Sequence, residues 1–120
     1  MTVKTVLITG ASSGIGKALA YHYAKEGYRC ICSSRRLKEC QSVAENCLNL
    51  GAASAHAIQC DVTTLEDANR LIQKALIHTE TIDIAILNAG ISVSGPSEEL
   101  QVSQYRHIYE TNVFGALNVL

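Results

Sequence analysis

The stretch Thr9-Gly10-Ala11-Ser12-Ser13-Gly14-Ile15-Gly16 constrains this chain more than any other. An apolar run, Val3-Lys4-Thr5-Val6-Leu7-Ile8, leads into it, and a helix-like run leads out from Lys17. Three glycines at a strand-to-helix turn let the backbone turn tightly, approach a ligand with no Cβ in the way, and press the helix onto the strand. The turn also aims unpaired helix N–H groups at whatever lies above it, which favours an anion. A dinucleotide pyrophosphate meets that description, and a tight turn without ligand is the plainer alternative.

The glycine spacing is Gly-x-x-x-Gly-x-Gly rather than Gly-x-Gly-x-x-Gly. Gly16-Lys17 resembles the end of a P-loop, but Gly10 lies one residue too far from Gly16. Ala18 also stands where a Mg²⁺-binding Ser or Thr is needed, so a nucleotide triphosphatase is excluded.

The remaining chain repeats strand and helix. After a helix over about 14–26, closed by Gly27, a strand is predicted over 28–34 and a helix over 36–50, closed by Gly51. Leu37, Cys40, Ala44 and Cys47 give that second helix one buried stripe. A weaker strand follows over 53–60. Thr64 is the predicted N-cap of the next helix, with Asp67 three residues on and an apolar face of Leu65, Ala68, Leu71, Ile72, Ala75 and Leu76. The unbroken run in 82–87 predicts a fourth strand buried on both faces. A polar loop over 91–99 and a last helix from about 101–103 to Leu120 complete the chain. This alternation predicts an α/β fold, a Rossmann-like doubly wound parallel sheet in one domain over 1–120, with strand order 3-2-1-4. Ligands then lie beyond the C-terminal strand ends.

Ten Lys+Arg balance eleven Asp+Glu, so nothing in the charge points to a nucleic-acid partner. No apolar run reaches membrane-spanning length. A strand that begins almost at once leaves no room for a signal peptide, and the cytoplasm is the expected compartment. Cysteines 30, 32, 40, 47 and 60 are odd in number and lack Cys-x-x-Cys spacing, which predicts small buried side chains and no disulfide framework or zinc site. His22, His56, His78 and His107 are scattered singly and are expected at the surface or its boundary, with no metal site.

Four strand ends carry the candidate chemistry. Ser34 stands 18 residues past Gly16, about where an Asp or Glu would hold the ribose hydroxyls of NAD. Without that carboxylate a 2′-phosphate meets no repulsion, and Arg35, ahead of Arg36, offers a guanidinium worth roughly 1.5–3 kcal/mol. NADP(H) is therefore expected over NAD(H); the alternative is a solvated basic pair opening a helix. Asp61 can accept from an adenine amino group while Val62 covers the ring, or Asp61 can simply form the turn before a helix. Asn88-Ala89-Gly90 either lies along the adenine ribose or is a plain strand-end turn. Asn112 sits inside an apolar stripe of the last helix, so its amide needs a partner: backbone or water at an active site, or a neighbouring helix. Tyr21-x-x-x-Lys25 has hydride-transfer spacing but falls in the first helix, facing away from the strand ends.

Thr9-Gly10-Ala11-Ser12-Ser13-Gly14-Ile15-Gly16, Asp61-Val62, Asn88-Ala89-Gly90 and Thr111-Asn112-Val113 together resemble the short-chain dehydrogenase/reductases, in family order and over the whole chain. The resemblance implies hydride transfer between a nicotinamide and a carbonyl or alcohol carbon. It implies that Gly10, Ser12, Ser13, Gly14, Ile15 and Gly16 cradle the pyrophosphate, that Asp61 and Val62 hold adenine, and that Asn88, Ala89 and Gly90 line the ribose. Asn112 would be the catalytic-tetrad residue that binds a water of the proton relay. Arg35 matches the NADP-preferring members, whereas Ser13 departs from those with a second basic residue before Gly14.

The family's catalytic Ser and Tyr-x-x-x-Lys follow a fifth strand, and no residue of this sequence takes those roles. The chain thus reads as the cofactor half of an oxidoreductase, inactive by itself; the alternative is a non-catalytic NADP(H)-binding module or fragment. Its fourth strand would carry an open edge, so the isolated chain is expected to be marginally stable. The partner is a small carbonyl or alcohol compound, and the last helix is the expected surface for a homo-oligomer, as in many family members.

Overall fold

In β1 (Thr5–Thr9), Val6 and Ile8 enter one apolar cluster while Leu7 enters another. That split is the period-two alternation of a strand covered on both faces. The computed structural model describes residues 3–89 and Val119. Beyond β1 it contains α1 (Gly14–Lys25), β2 (Arg29–Ser34), α2 (Leu37–Leu50), β3 (Ser54–Gln59), α3 (Leu65–Thr79) and β4 (Ile84–Leu87). All pairings are parallel and the strand order is β3-β2-β1-β4, as the sequence predicts.

One cluster joins Val6, Ile8, Cys30 and Cys32 to Ala20 and Ala24 of α1 and to Cys40, Val43 and Cys47 of α2. The other joins Leu7, Ile31 and Ile58 to Ala68, Leu71 and Ala75 of α3, with Val119 among them. Burying one Leu- or Ile-sized side chain contributes about 1.5–3 kcal/mol, so these two interfaces hold the layers together. The inner face of α1 carries only Gly16, Ala20 and Ala24, which brings its axis close to the sheet. Both α1 and α2 end as their glycines predict. Tyr28 N–H donates to Tyr23 O at 3.1 Å past Gly27, and Ala52 N–H donates to Cys47 O at 3.0 Å past Gly51.

All five cysteines are buried free thiols. Burial pushes Cys40 and Cys60 up to about 11, with Asp67 and Asp61 adding to the effect at Cys60.

Three expectations are corrected. The fourth strand is only half-buried, with Ala85 exposed, because among the described residues β4 pairs with β1 alone and sits at the sheet edge. Leu65 and Leu76 stand in solvent at 57% and 40% exposure, and Thr79 is buried in the helix face instead, its hydroxyl 2.9 Å from Ala75 O. Thr64 is the N-cap of α3, as expected, but its side chain does not make the capping bond; its hydroxyl donates to Asp61 O at 3.2 Å. His22, His56 and His78 lie at the surface or its boundary, as expected, and His56 of β3 and His78 of α3 stack there with ring centroids 3.9 Å apart. The polar loop over 91–99, Gly90, Asn112 and the last helix apart from Val119 lie outside the described residues.

Candidate cofactor cleft

The parallel register sets Thr9 beside Ser33 on one side and beside Leu87 on the other, so β1, β2 and β4 end at one level. Beyond those ends, and beyond β3, lies a cleft of about 220 Å³. Ligand pockets run ~300–1,000 Å³, so the described residues form part of a site for anything as large as a dinucleotide. Its lining brings together Gly10, Ser12 and Ser13 of the glycine turn, Ser34, Arg35 and Arg36 after β2, Asp61 and Val62 after β3, and Asn88 and Ala89 after β4.

The glycine turn is held from behind. Asn88 Nδ2 donates to Gly10 O at 3.2 Å, and Ala11 N–H donates to Ser33 O at 3.0 Å. Gly10 has φ +65, and a Cβ there would lie 2.9 Å from Ala89 Cα. A Cβ on Gly16 would collide with Gly10 O and come within 2.6 Å of Asn88 Nδ2. Gly16 therefore serves the close packing of α1 on the turn and faces away from the cleft. Gly14 takes φ +58 with open space before it, and Ile15 projects outward at 71% exposure.

At the N-terminus of α1, Ser13 makes no side-chain cap hydrogen bond, and the first turn holds no acidic residue. The first-turn N–H groups keep their capacity for an outside anion, with no carboxylate to compete. On this observation, and on the glycine cradle, the residues fit a dinucleotide pyrophosphate.

Ser34 has a structural task that its sequence position did not announce. Its Oγ accepts from Arg36 N–H at 3.1 Å, at the start of α2, where the Arg36 N-cap has no capping side chain of its own. Gln59 Nε2 donates to Arg35 O at 3.2 Å and fixes that backbone, while the side chains of Arg35 and Arg36 are exposed at the cleft. Among the described residues neither guanidinium has an ion-pair partner. Asp61 accepts at Oδ1 from Thr63 N–H at 3.0 Å and from Thr63 Oγ1 at 2.6 Å. It is a turn-forming residue, as one of its two readings holds, and it also lines the cleft.

Three lining residues were not among the sequence candidates: Thr9, Ser33 and Cys60. Thr9 matters most. Its buried Oγ1 accepts from Asn88 N–H at 3.0 Å and from Ala89 N–H at 3.1 Å, tying the end of β4 to the end of β1. Counting in twos along aligned parallel strands would have found all three.

Tyr21 and Lys25 lie apart from this cleft, and the Tyr21 hydroxyl accepts from Asn46 Nδ2 of α2 at 2.9 Å. Among the described residues no group of three His, Cys, Asp or Glu is placed to hold a metal, and no helix is long and apolar enough to cross a membrane.

The sequence profile of the short chain dehydrogenase family matches residues 4–120. The chain belongs to the short-chain dehydrogenases. An 11-beta-hydroxysteroid dehydrogenase A from Sesamum indicum is 38% identical over 113 residues, 93% of this chain and 32% of that protein. An alcohol dehydrogenase from Thermococcus sibiricus, solved with 5-hydroxy-NADP, superposes with a TM-score of 0.93 at 28% identity, over 99% of this chain and 51% of that one. A 3-ketoacyl-(acyl-carrier-protein) reductase from Brucella melitensis, solved with NADH, gives a TM-score of 0.90 at 28% identity, over 97% and 46%. This short-chain dehydrogenase sequence thus spans about a third of that curated relative and about half of those solved chains.

Proposed function

We propose that the cleft binds NADP(H), in preference to NAD(H), and that the chain is the cofactor-holding part of an oxidoreductase acting on a carbonyl or alcohol carbon. The observation that carries this reading is the convergence of the uncapped, acid-free α1 N-terminus with Ser34 and Arg35 in one cleft. Gly10, Ser12, Ser13, Gly14 and Ile15 would hold the pyrophosphate, with Gly16 setting the helix behind them. Arg35, seconded by Arg36, would meet the 2′-phosphate, where Ser34 leaves no carboxylate to repel it. Asp61 and Val62 would hold adenine, and Asn88, Ala89 and Gly90 the adjoining ribose. When bound, the nicotinamide supplies the hydride donor or acceptor.

Asn112 is assigned to the proton relay by family resemblance. The only Tyr-x-x-x-Lys in the sequence is Tyr21–Lys25, placed against α2, so the 120 residues alone are expected not to turn over substrate. The relatives' own names, alcohol dehydrogenase and hydroxysteroid dehydrogenase, support a small alcohol or carbonyl substrate. Five free cysteines suit the cytoplasm, a reducing compartment. A homo-oligomer through the last helix belongs to the same reading.

The test is Arg35→Gln. Its affinity for NADPH should fall about ten- to a hundredfold, while its affinity for NADH stays as in the wild type. Equal losses for both cofactors would remove the 2′-phosphate role of Arg35.

A further inference from the structure

We propose that Asp67, held by Arg70, is a positioning residue for the adenine end of the cofactor, acting through Asp61. The proposal rests on the dinucleotide reading above. Asp67 lies in the first turn of α3 and uses both carboxylate oxygens. Oδ2 accepts from Asp61 N–H at 3.1 Å, and Oδ1 accepts from Arg70 Nη1 at 3.1 Å.

In a capping box, an acidic residue at this position would reach back to the N–H of the N-cap, here Thr64. Asp67 bypasses Thr64 and fastens Asp61, three residues further back. The turn does not need that bond to form. Thr63 already binds the Asp61 carboxylate, and Thr64 N–H already donates to Asp61 O at 3.2 Å. What the Asp67 bond adds is a rigid link between the Asp61-Val62 wall of the cleft and α3. Val62 is itself seated in the α3 cluster at 5% exposure, so the wall is fixed at two adjacent residues.

The Asp67–Arg70 pair is partly exposed, with side chains at 31% and 58%. Exposed pairs of this kind add little to folding stability. Their geometric effect is larger: Arg70 occupies Oδ1 and leaves Oδ2 directed at Asp61. A wall already set before the ligand arrives spares the ordering cost of binding. The ligand chemistry that benefits is a flat purine with an exocyclic amine, set against Val62 and Asp61.

The experiment is calorimetric titration of the purified full-length protein with 2′,5′-ADP, which is the adenine half alone, and with NADPH. Each variant is also melted without ligand. Asp67→Ala should weaken both ligands about tenfold and lower the unliganded melting temperature by only a few degrees. Asp67→Asn keeps an amide oxygen for Asp61 N–H and should restore binding to within about threefold of wild type. Wild-type affinity in Asp67→Ala would overturn the proposal, as would an Asp67→Asn variant no better than Asp67→Ala. Should Asp67→Ala fail to fold, Arg70→Ala decides, because it changes only an exposed side chain. About threefold weaker 2′,5′-ADP binding supports the proposal, and unchanged binding overturns it. If the wild-type protein binds neither ligand, nor NADH in a parallel titration, the dinucleotide reading falls and this proposal falls with it. If the wild type binds both and the Asp67 variants match it, only the role of Asp67 is lost.

Discussion

At Gly16 an added methyl group would meet the Gly10 carbonyl and the Asn88 amide, and the first of these is backbone that cannot swing aside. Gly16→Ala should therefore push α1 off the glycine turn and destabilise the fold by about 1–3 kcal/mol. The expected outcome is a lower urea midpoint together with weaker cofactor binding, since Gly10 and Asn88 move as well. An unchanged midpoint would mean that the helix can shift at no cost. The residue types at the site were readable from the sequence because each special residue closes a strand: Gly10 after β1, Ser34 at the end of β2, Asp61 after β3 and Asn88 after β4. Their partners were not readable. That Asn88 holds Gly10 O, and that Thr9 holds Asn88 and Ala89, depends on which strands become neighbours across almost 80 positions of chain.

Among the elements, α1 and α2 were legible to their ends because Gly27 and Gly51 supply the left-handed residue that closes a helix, with φ of +83 and +118. The end of α3 carries no such mark. Glu80 takes φ +67 there without being glycine, and Thr81 N–H donates to Thr79 O at 2.8 Å in a tight three-residue turn. The edge place of β4 was legible from the expected strand order, but its half-burial was not, since Ile-Ala-Ile-Leu reads the same in a strand covered on both faces.

The contact between α3 and β3 carries a pH dependence that no spacing rule announces. Burial, and then the charge of His78 stacked on it, lower the pKa of His56 below its usual value. Among the described residues no other charged group contributes to that shift. A depressed histidine favours the neutral form in the fold, so its contribution to stability is complete above about pH 6.5. It is lost as pH falls through the folded-state value. Urea midpoints of the wild type should therefore drop between neutral and mildly acidic pH, and His56→Gln should flatten that part of the profile. An identical slope in His56→Gln would exclude the stacked pair as its source.

The whole molecule follows from a simple consistency. Four parallel strands in the order β3-β2-β1-β4 put every candidate loop on one edge, and α1 directs its N-terminus to the same edge. The expected order was recoverable because the crossovers are right-handed and the glycine turn marks the first strand. The central claim is that this edge is a nicotinamide dinucleotide phosphate site, and fluorescence titration of the purified protein with NADPH and with NADH tests it most directly. Saturable NADPH binding, at least about tenfold tighter than NADH, is the expected result. Equal affinity for the two cofactors would contradict the phosphate preference, and no binding of either would contradict the claim itself.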